Sequence, residues 1–381
     1  HLYPFVEGES NSSVFVTKNN PKFFHTTIVG ESSLKKYVVS TSTVVKIGIV
    51  TCSGPYLNAT ELRGTNETVT LIKSVIISAK VYNVEEVQFH IFVDSDILQK
   101  FLERKISAYS AKIRNVVKIR SYFYSVFKSV PANNVKEFVN SDLPCTYIRI
   151  FFPDVLTSID EILYLDTDVV ITGNIAEIWK TFRDMSNNEI VALSPNNEPE
   201  DKNYEDIDKG NFGNIPHVLS KGVNAGIFYM NLLGLRKFEW TTKVLDVYRK
   251  YIEQLFYMND QRLINIVLHR YRDILKVMPC NYNFQYLHCE KGLTCKEAVS
   301  DPMGIQILHG AGDSFQNETK SHYLIYESFR KFELGRQDEV LDLFTSLKQY
   351  YTEVKNQSTC EGVLGPLLFK HAFSHNLTQR K

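Results

Sequence analysis

Two carboxylates inside an apolar stretch are the residues of this sequence that point most directly to chemistry. Asp166 and Asp168 lie within residues 163–171, which read Leu-Tyr-Leu-Asp-Thr-Asp-Val-Val-Ile. On an extended chain, side chains two residues apart point to the same side of the backbone. Two carboxylates placed in this way repel each other unless a cation or a proton lies between them. The pair therefore indicates a divalent metal site, and its structural alternative is a pair that caps the following turn.

His309 is a further candidate ligand, at the end of an apolar run at 305–308 that predicts a strand. Oxygen ligands favour a hard cation such as Mg²⁺ or Mn²⁺, and one imidazole in the set favours Mn²⁺. Gly310 and Gly312 follow, and glycines allow backbone N–H groups to approach a phosphate closely. The structural alternative is a hydrogen-bonded core histidine.

Alternating strands and helices must position these residues. A β-branched run at 44–50 and an apolar run at 87–93 flank apolar residues at helical spacing over 71–79, which is a βαβ pattern. Further strands are predicted at 116–122, 162–166 and 225–230, and helices at 146–156, 235–255, 260–271 and 340–350, with Asp94 or Asp96 capping a helix that ends near Ser107. Pro153 implies an early end for the helix at 146–156. We therefore expect an α/β fold with a mostly parallel sheet flanked by helices, and ligands at the carboxyl ends of its strands.

Composition and charge exclude several classes of protein. The 43 basic and 43 acidic residues cancel, so no overall field attracts the chain to nucleic acid or to an anionic membrane. No apolar run reaches the roughly 18 residues that a transmembrane helix needs. A glycine-rich dinucleotide fingerprint and a P-loop are both absent from the sequence, which argues against a dehydrogenase or a P-loop enzyme.

The six cysteines are compatible with three disulfides or with buried thiols. Cys280, Cys289 and Cys295 lie close together, but only His288 could add a nitrogen ligand and no Cys-x-x-Cys pair occurs, which disfavours structural zinc. We favour disulfides and an oxidising compartment. Six N-glycosylation sequons, against about four expected by chance, add weak support for a luminal protein; they lie at Asn11, Asn58, Asn66, Asn317, Asn356 and Asn376.

Two segments fall outside the strand and helix pattern. Residues 1–43 are rich in Ser and Thr without a sustained apolar period, which predicts a stem or leader. The acidic loop at 196–214 is interpreted as a disordered insertion, the alternative being a loop that folds over a donor or an acceptor. Because the chain starts at His1, we expect that a signal or anchor segment preceded it.

Five motifs occur in a fixed order along the chain: 147–153 (YIRIFFP), 162–168 (ILYLDTD), 224–226 (NAG), 259–265 (NDQRLIN) and 308–310 (LHG). Together they resemble glycosyltransferase family 8, a set of metal-dependent retaining enzymes with the GT-A fold. The similarity covers about residues 44–335 and implies a catalytic domain there, followed by a C-terminal helical extension at 336–381.

A narrower resemblance lies at residues 279–295, where the spacing of Cys280, Cys289 and Cys295 is similar to that of the glucoside xylosyltransferases. These enzymes extend an O-linked glucose on EGF-like repeats with α-linked xylose from UDP-xylose. The positions of Cys52, Cys145 and Cys360 also suit this subfamily. Arg262 departs from its pattern, which has an acid at that position.

The resemblance implies a role for each matching residue. Asp166, Asp168 and His309 would bind Mn²⁺, with Asp166 also near the ribose, and Arg149 would contact the donor sugar or its diphosphate. The other residues expected to hold the UDP-sugar are Thr51, Cys52 and Ser53 around the uridine, Asn224, Ala225 and Gly226 beside the sugar, and Gly310 near the phosphates. The structural alternatives are a surface ion pair for Arg149, a plain turn at 51–53, and a bend in a buried strand at Gly226.

Retention of configuration allows two mechanisms. A covalent intermediate needs a carboxylate nucleophile, and Asp260 is the carboxylate in the matching motif. We favour front-face transfer, in which Gln261 stabilises the oxocarbenium charge and the leaving phosphate oxygen accepts the proton of the acceptor. Tyr282, Asn283, Phe284 and His288 are candidates for acceptor binding, since an aromatic face can stack on a sugar ring; core packing is the alternative.

These inferences predict a retaining UDP-xylose transferase in the lumen of the endoplasmic reticulum or Golgi. Its acceptor would be an O-glucosylated EGF-like repeat, with no nucleic-acid partner and no membrane contact except through a type II anchor outside this sequence. Two alternatives remain. One is a family 8 transferase that uses UDP-glucose or UDP-galactose, and the other is a non-catalytic luminal glycan-binding protein.

Overall fold

The computed structural model describes residues 4–5, 14–15, 43–52, 59–130, 144–197, 216–251, 259–290, 292–336 and 338–354, together with Cys360 and Leu364. Contacts divide the chain into two compact units, residues 1–43 and 44–381. In the first unit, β1 (Pro4–Phe5) pairs antiparallel with β2 (Val14–Phe15). The stem, catalytic domain and C-terminal extension remain predictions.

The second unit contains ten strands among its described residues: β3 (Val44–Thr51), β4 (Glu86–Val93), β5 (Lys118–Ser125), β6 (Glu161–Leu165), β7 (Val169–Ile171), β8 (Val191–Leu193), β9 (Ile227–Asn231), β10 (Leu275–Val277), β11 (Phe284–Gln285) and β12 (Ile307–His309). Seven form the central sheet in the order β10-β8-β9-β6-β3-β4-β5. All neighbours are parallel except β9, which is antiparallel to β6 and β8. The other three form a small sheet in the order β11-β12-β7.

The helices of the described residues are α1 (Ala59–Val81), α2 (Asp96–Ile113), α3 (Val126–Ser129), α4 (Pro144–Tyr147), α5 (Phe152–Val155), α6 (Ile175–Lys180), α7 (Leu232–Lys237), α8 (Trp240–Tyr251), α9 (Asp260–Arg270), α10 (Glu297–Ser300), α11 (Ser321–Lys331) and α12 (Glu339–Val354). Each predicted strand coincides with an observed one to within three residues at either end. The α/β prediction, with a mostly parallel sheet flanked by helices, is confirmed.

The central sheet is apolar on both faces because helices cover both sides. Alternate residues of β6 enter two different core clusters: Leu163 and Leu165 pack on the α1 side, and Ile162 and Tyr164 on the other. The predicted apolar face of α1, with Leu71 among its buried residues, packs into the first cluster. This two-sided burial keeps the carboxyl end of β6 in a fixed place, and the acidic pair begins there.

The prediction of one helix over 146–156 is wrong. The segment folds as α4, a 3₁₀ turn over Ile148–Phe151, and α5. Pro153 explains the break, because proline has no N–H and its ring clashes with the carbonyl four residues earlier. In the structure Pro153 stands in the first turn of α5, where its missing N–H costs nothing.

Two other helix boundaries also differ from the predictions. Ser95, not Asp94 or Asp96, caps α2, since its side chain accepts a hydrogen bond from the Leu98 N–H at 3.3 Å, and the helix runs to Ile113. The helix predicted over 235–255 is two helices, α7 and α8. Glu239 separates them with a φ of 59°, a left-handed conformation that no α-helix continues through. Residues 252–258 lie outside the described part.

Three disulfides confirm the preference for oxidised cysteines. Cys52 pairs with Cys145, Cys280 with Cys295, and Cys289 with Cys360, which leaves no free cysteine. Within the described residues, none of the helices has the length and apolar character needed to span a bilayer. Of the acidic loop at 196–214, residues 198–214 lie outside the described part.

Candidate active site

The two sheets meet at the turn that carries the acidic pair. Asp166 follows β6 of the central sheet, and Asp168 precedes β7 of the small sheet. The expectation of an extended chain is therefore wrong, because residues 167–168 form a turn. The turn still brings the carboxylates together: Asp166, Asp168 and His309 each offer a ligand atom, and these atoms all lie within 4.8 Å of one another.

Strand pairing brings His309 to this turn. β12 runs antiparallel to β7 and sets His309 opposite Val169, the residue after Asp168. The Gly310 N–H donates to the Asp168 carbonyl at 2.7 Å and extends the pairing. The His309 Nε2 atom lies 3.4 Å from Asp168 Oδ1. Although burial opposes ionisation of Asp168, the neighbouring His309 holds the pKa of this carboxyl below its ordinary value.

A chain of amides sets the tautomer of His309. The Gly226 N–H donates to Asn224 Oδ1 at 3.0 Å, and Asn283 Nδ2 donates to the same oxygen at 2.9 Å. This orientation turns the Asn283 oxygen to His309 Nδ1, at 2.8 Å. Because that oxygen only accepts, Nδ1 carries a proton, and Nε2 is the ring atom that faces Asp168 and can offer its lone pair to a cation. A second hydrogen bond of this type orients many metal-binding histidines.

Gly226 leaves the space in which the three side chains meet. A Cβ atom at this position would lie 2.3 Å from His309 Cε1 and 2.8 Å from Asp166 Oδ2. Any larger residue would therefore displace the ligand atoms. Two carboxylates and one neutral imidazole suit a divalent cation, and Mn²⁺ in particular accepts both donor types. The residues present fit a resident divalent metal.

Arg149 lies behind the acidic pair, held by the 3₁₀ turn. The buried guanidinium forms an ion pair with Asp260 and lies 3.0 Å from Asp166 Oδ1. It also donates to the Ala225 carbonyl at 2.8 Å. The alternative of a surface ion pair is wrong. Burial acts to lower the pKa of Arg149, but Asp260, Tyr164 and Asp166 outweigh it and raise the pKa well above its usual range.

Tyr164 belongs to this site and was missed from the sequence. Its hydroxyl donates to Asp166, and the Arg149 guanidinium lies 4.7 Å from the centre of its ring. The sequence did contain an indication of this contact. Tyr164 precedes Asp166 by two residues, and side chains two residues apart on a strand point to the same side. Asp166 therefore has a hydrogen-bond donor and a cation fixed beside it.

The first turn of α9 closes the site on the opposite side. Asn259 caps this helix by accepting from the Arg262 N–H at 2.8 Å, and Gln261 Oε1 accepts from the Ala225 N–H at 2.9 Å. Asp260 is only 1% exposed and is engaged by Arg149. Arg262, at the position where the family pattern has an acid, is also buried.

The residues predicted around the uridine follow the carboxyl end of β3. The buried Thr51 side chain is hydrogen bonded to Thr68, with the two hydroxyl oxygens 2.9 Å apart. Cys52 is joined to Cys145, and Ser53 lies outside the described residues. Contact of these residues with a nucleotide stays a prediction.

The residues predicted for acceptor binding are mostly buried. Phe284 is fully buried, which favours its core alternative, and Asn283 is buried in the His309 network. His288 is buried too and accepts from the Gln285 N–H at 2.8 Å, whereas Tyr282 is half-buried. A cavity of about 440 Å³ adjoins His288, with Asn196, Asn197, Met278, Thr294 and Glu297 also in its lining.

Three buried histidines predict a loss of stability in mild acid. Burial lowers the pKa of His90 and of His288 to about 4, and that of His322 to about 3. Each group takes up a proton more readily in the unfolded chain, at a pKa of about 6.5, so the unfolding free energy falls as the pH drops from about 6.5 to 4. We expect the thermal midpoint to decrease over this range. His322→Phe should make the decrease shallower, and an unchanged slope would contradict this account.

Comparison with solved structures identifies the fold. The chain matches mouse xyloside xylosyltransferase 1 in its apo form with a TM-score of 0.52 and 14% identity, over 71% of this chain and 99% of that one. It matches an active-site mutant of LgtC with a TM-score of 0.51 and 14% identity, over 75% and 95% of the two chains. At this identity the matches establish the fold alone, which is the GT-A fold of glycosyltransferases.

The sequence comparison then gives the family. Residues 53–313 match the model described as Glycosyl transferase family 8, and the chain belongs to this family of glycosyltransferases. It is 28% identical to glucoside xylosyltransferase 2 of Mus musculus over 282 residues, 70% of this chain, and 27% identical to glucoside xylosyltransferase 1 of Homo sapiens over 277 residues, 69% of this chain. The aligned part spans 59% of the length of each of these relatives.

Proposed function

We propose that this glycosyltransferase moves xylose from UDP-xylose to an O-linked glucose on EGF-like repeats, with retention of configuration and with Mn²⁺. One observation carries the enzymatic part of the proposal: ligand atoms of Asp166, Asp168 and His309 all lie within 4.8 Å of one another, and Gly226 leaves room for two of these side chains, Asp166 and His309. The choice of donor and acceptor is supported by the glucoside xylosyltransferases among the relatives.

Asp166, Asp168 and His309 would hold the cation. A divalent metal bound there supplies Lewis-acid stabilisation for the diphosphate as it leaves. The protein prepares the ligands in advance, because Asn283 fixes the tautomer of His309 and Tyr164 orients the Asp166 carboxylate. Preorganised ligands need little reorganisation during the reaction, which is the main source of electrostatic catalysis in enzymes.

Front-face transfer is the mechanism that the buried charges favour. Asp260 is 1% exposed and paired with Arg149, so its carboxylate is engaged and poorly placed to attack an anomeric carbon. The Gln261 oxygen has two lone pairs, and the Ala225 N–H uses one of them. The other remains able to stabilise oxocarbenium charge. The leaving phosphate oxygen would then take the proton of the acceptor hydroxyl.

The remaining contacts with the donor and the acceptor are proposed from where the residues lie relative to the carboxyl ends of the strands. Thr51, Cys52 and Ser53 would line the uridine pocket, and Gly310 would lie near the phosphates. The cavity beside His288 follows the carboxyl ends of β8 and β10, the edge of a sheet where ligands of α/β proteins bind. We propose it as the place where the acceptor sugar enters, with Tyr282 at its side.

We propose the lumen of the endoplasmic reticulum or Golgi as the compartment. The three disulfides support an oxidising environment, because such bonds are rare in the cytosol. Two of the sequon asparagines, Asn66 and Asn317, are exposed at the surface of the described part. An arrangement of stem, catalytic domain and helical extension, with a type II anchor outside this sequence, belongs to the same proposal.

The function is tested by incubating the purified chain with Mn²⁺, a mixture of UDP-sugars and an O-glucosylated EGF-like repeat. We expect the acceptor to gain the mass of one pentose, because the proposed donor is UDP-xylose. Asp168→Asn should abolish the gain by removing a charged ligand. Asp160→Asn, the same change at an exposed carboxylate, should leave the gain intact.

A different gain in the mass of the acceptor, or no gain, would distinguish the competing functions. A hexose-sized gain would keep the enzyme class and assign the donor as UDP-glucose or UDP-galactose. If the native chain transfers no sugar and binds neither Mn²⁺ nor UDP, the enzymatic proposal fails, and a luminal glycan-binding protein becomes the better hypothesis.

A further inference from the structure

Glu67 is a buried carboxylate on α1, beside both apolar and polar buried residues of that helix. It precedes Leu71 by one helical turn and is 4% exposed. Thr167 Oγ1 donates to Glu67 Oε2 at 3.2 Å, while Arg63 Nε and Gln316 Nε2 donate to Oε1 at 3.0 and 2.6 Å. Both carboxylate oxygens are therefore used by partners from three different parts of the chain.

The first of these contacts reaches the acidic turn itself. Thr167 is the residue between Asp166 and Asp168. The backbone of the turn is held at its two ends, by the bond from the Asp166 N–H to the Gly226 carbonyl and by that from the Gly310 N–H to the Asp168 carbonyl. Glu67 supplies a side-chain bond at the middle of the turn.

The other two contacts reach the loop that follows His309. Gln316 lies in this loop, and Arg63 forms an ion pair with Asp313 of the same loop at 2.7 Å. Asp313 has a φ of 58°, a left-handed conformation that costs a residue with a Cβ about 1 kcal/mol or more. Arg63 and Glu67 together hold this loop against α1.

Fold stability alone does not account for a carboxylate at this position. Removing a charge from water costs free energy, and replacing a buried ion pair with apolar residues of similar volume is often neutral or stabilising. Glu67 also lies near the acidic turn, where a further negative charge is unfavourable in the absence of a cation. Glu67 accepts hydrogen bonds from Thr167, beside the acidic pair, and from Gln316, in the loop after His309. We therefore connect the buried charge with the metal site and not with the stability of the fold.

We propose that Glu67 is a positioning residue for the metal site. It fixes Thr167 on one side and the 310–316 loop on the other, and so sets the spacing between Asp168 and His309. This inference rests on the proposed function, since it assumes that Asp166, Asp168 and His309 bind a divalent cation. Loss of a partner that is hydrogen bonded directly to a metal ligand typically weakens metal binding by about 10- to 100-fold. Glu67 acts one contact further out, through Thr167, so the lower end of that range is expected.

The test is the affinity of the purified chain for Mn²⁺ alone, measured by the electron paramagnetic resonance of free Mn²⁺, with thermal denaturation in parallel. Glu67→Gln keeps the size of the side chain but removes its charge and leaves a single oxygen to accept from Arg63, Gln316 and Thr167. We expect it to weaken Mn²⁺ binding by about 10-fold. Glu339→Gln is the matched control, because Glu339 is also buried and paired, with Lys80. It should lower the thermal midpoint and leave the Mn²⁺ affinity unchanged.

A second pair of variants covers the case in which Glu67→Gln does not fold. Thr167→Val removes the hydroxyl at nearly constant volume and should also weaken Mn²⁺ binding, and Thr167→Ser should restore it. Unchanged Mn²⁺ affinity in folded Glu67→Gln and in Thr167→Val would overturn the role of Glu67 while leaving the metal site in place. Native protein without Mn²⁺ affinity would overturn the metal site itself and the positioning role with it.

Discussion

Gly226→Ala is expected to remove at least about 99% of the transferase activity from a protein that still folds. The added Cβ would lie 2.3 Å from His309 Cε1 and 2.8 Å from Asp166 Oδ2, distances that a Cβ atom does not tolerate without movement. Two of the three proposed ligands must therefore shift. A displacement of about 1 Å at a catalytic group can cost about 100-fold in rate. The measurements are kcat/KM for sugar transfer and the Kd for Mn²⁺.

Gly48→Ala is the matched control for this substitution. Gly48 lies on β3, which β6 separates from β9 in the central sheet, and a Cβ there would lie 2.8 Å from Phe152 Cε2 and 3.0 Å from Ile162 Cδ1. The crowding is milder than at Gly226 and falls within the apolar core. We expect Gly48→Ala to lower the thermal midpoint while the folded molecules keep their Mn²⁺ affinity. Equal loss of Mn²⁺ binding in both variants would mean that Gly226 acts through the fold and not through the ligands.

Arg149→Met is expected to lower the unfolding free energy by about 3–5 kcal/mol at neutral pH. Arg149 is the cation that faces Asp260, and it also contacts Asp166. Its removal leaves the Asp260 carboxylate buried without a counter-charge. A charge in that situation is far more costly than the net contribution of the original pair. Denaturation by urea measures the loss, provided that unfolding is reversible.

Two further variants separate the buried charge from simple packing. Arg149→Met combined with Asp260→Asn removes both charges and should recover part of the loss, which a double-mutant cycle quantifies. Lys180→Met breaks an exposed ion pair with Glu177 and should change the unfolding free energy by less than about 1 kcal/mol. If Asp260→Asn makes the loss larger, the carboxylate is not the source of the instability.

Both expected results depend on how neighbouring residues hold the proposed metal ligands. The acidic pair is not isolated: Arg149 and Tyr164 flank Asp166, and an asparagine pair orients His309. The proposed metal ligands are therefore held in place by neighbours that are themselves paired.

Local pattern was sufficient to predict six of the ten strands described in the second unit, the class of fold and the candidate ligands; β7, β8, β10 and β11, each of two or three residues, were not predicted. The apolar periods at 44–50, 71–79 and 87–93 describe how each segment buries its own side chains, so they determined the βαβ order that the structure has. Asp166 and Asp168 stood out because acids are unfavourable in an apolar run unless something holds them. Where a local rule failed, as in the helix expected over 146–156, a single residue, Pro153, accounts for it.

The connections between distant segments were decided only by the tertiary structure. Arg149 meets Asp260 across 111 positions, Asn283 meets His309 across 26, and Thr167 meets Glu67 across 100. The pairing of the six cysteines is of the same kind. A periodic pattern records which side of a strand or helix is buried, but it contains no information about which buried residue of another element lies opposite. Sheet order and the packing of α1 and α9 against the sheet supply that information, and they made a single site of residues that the sequence keeps apart.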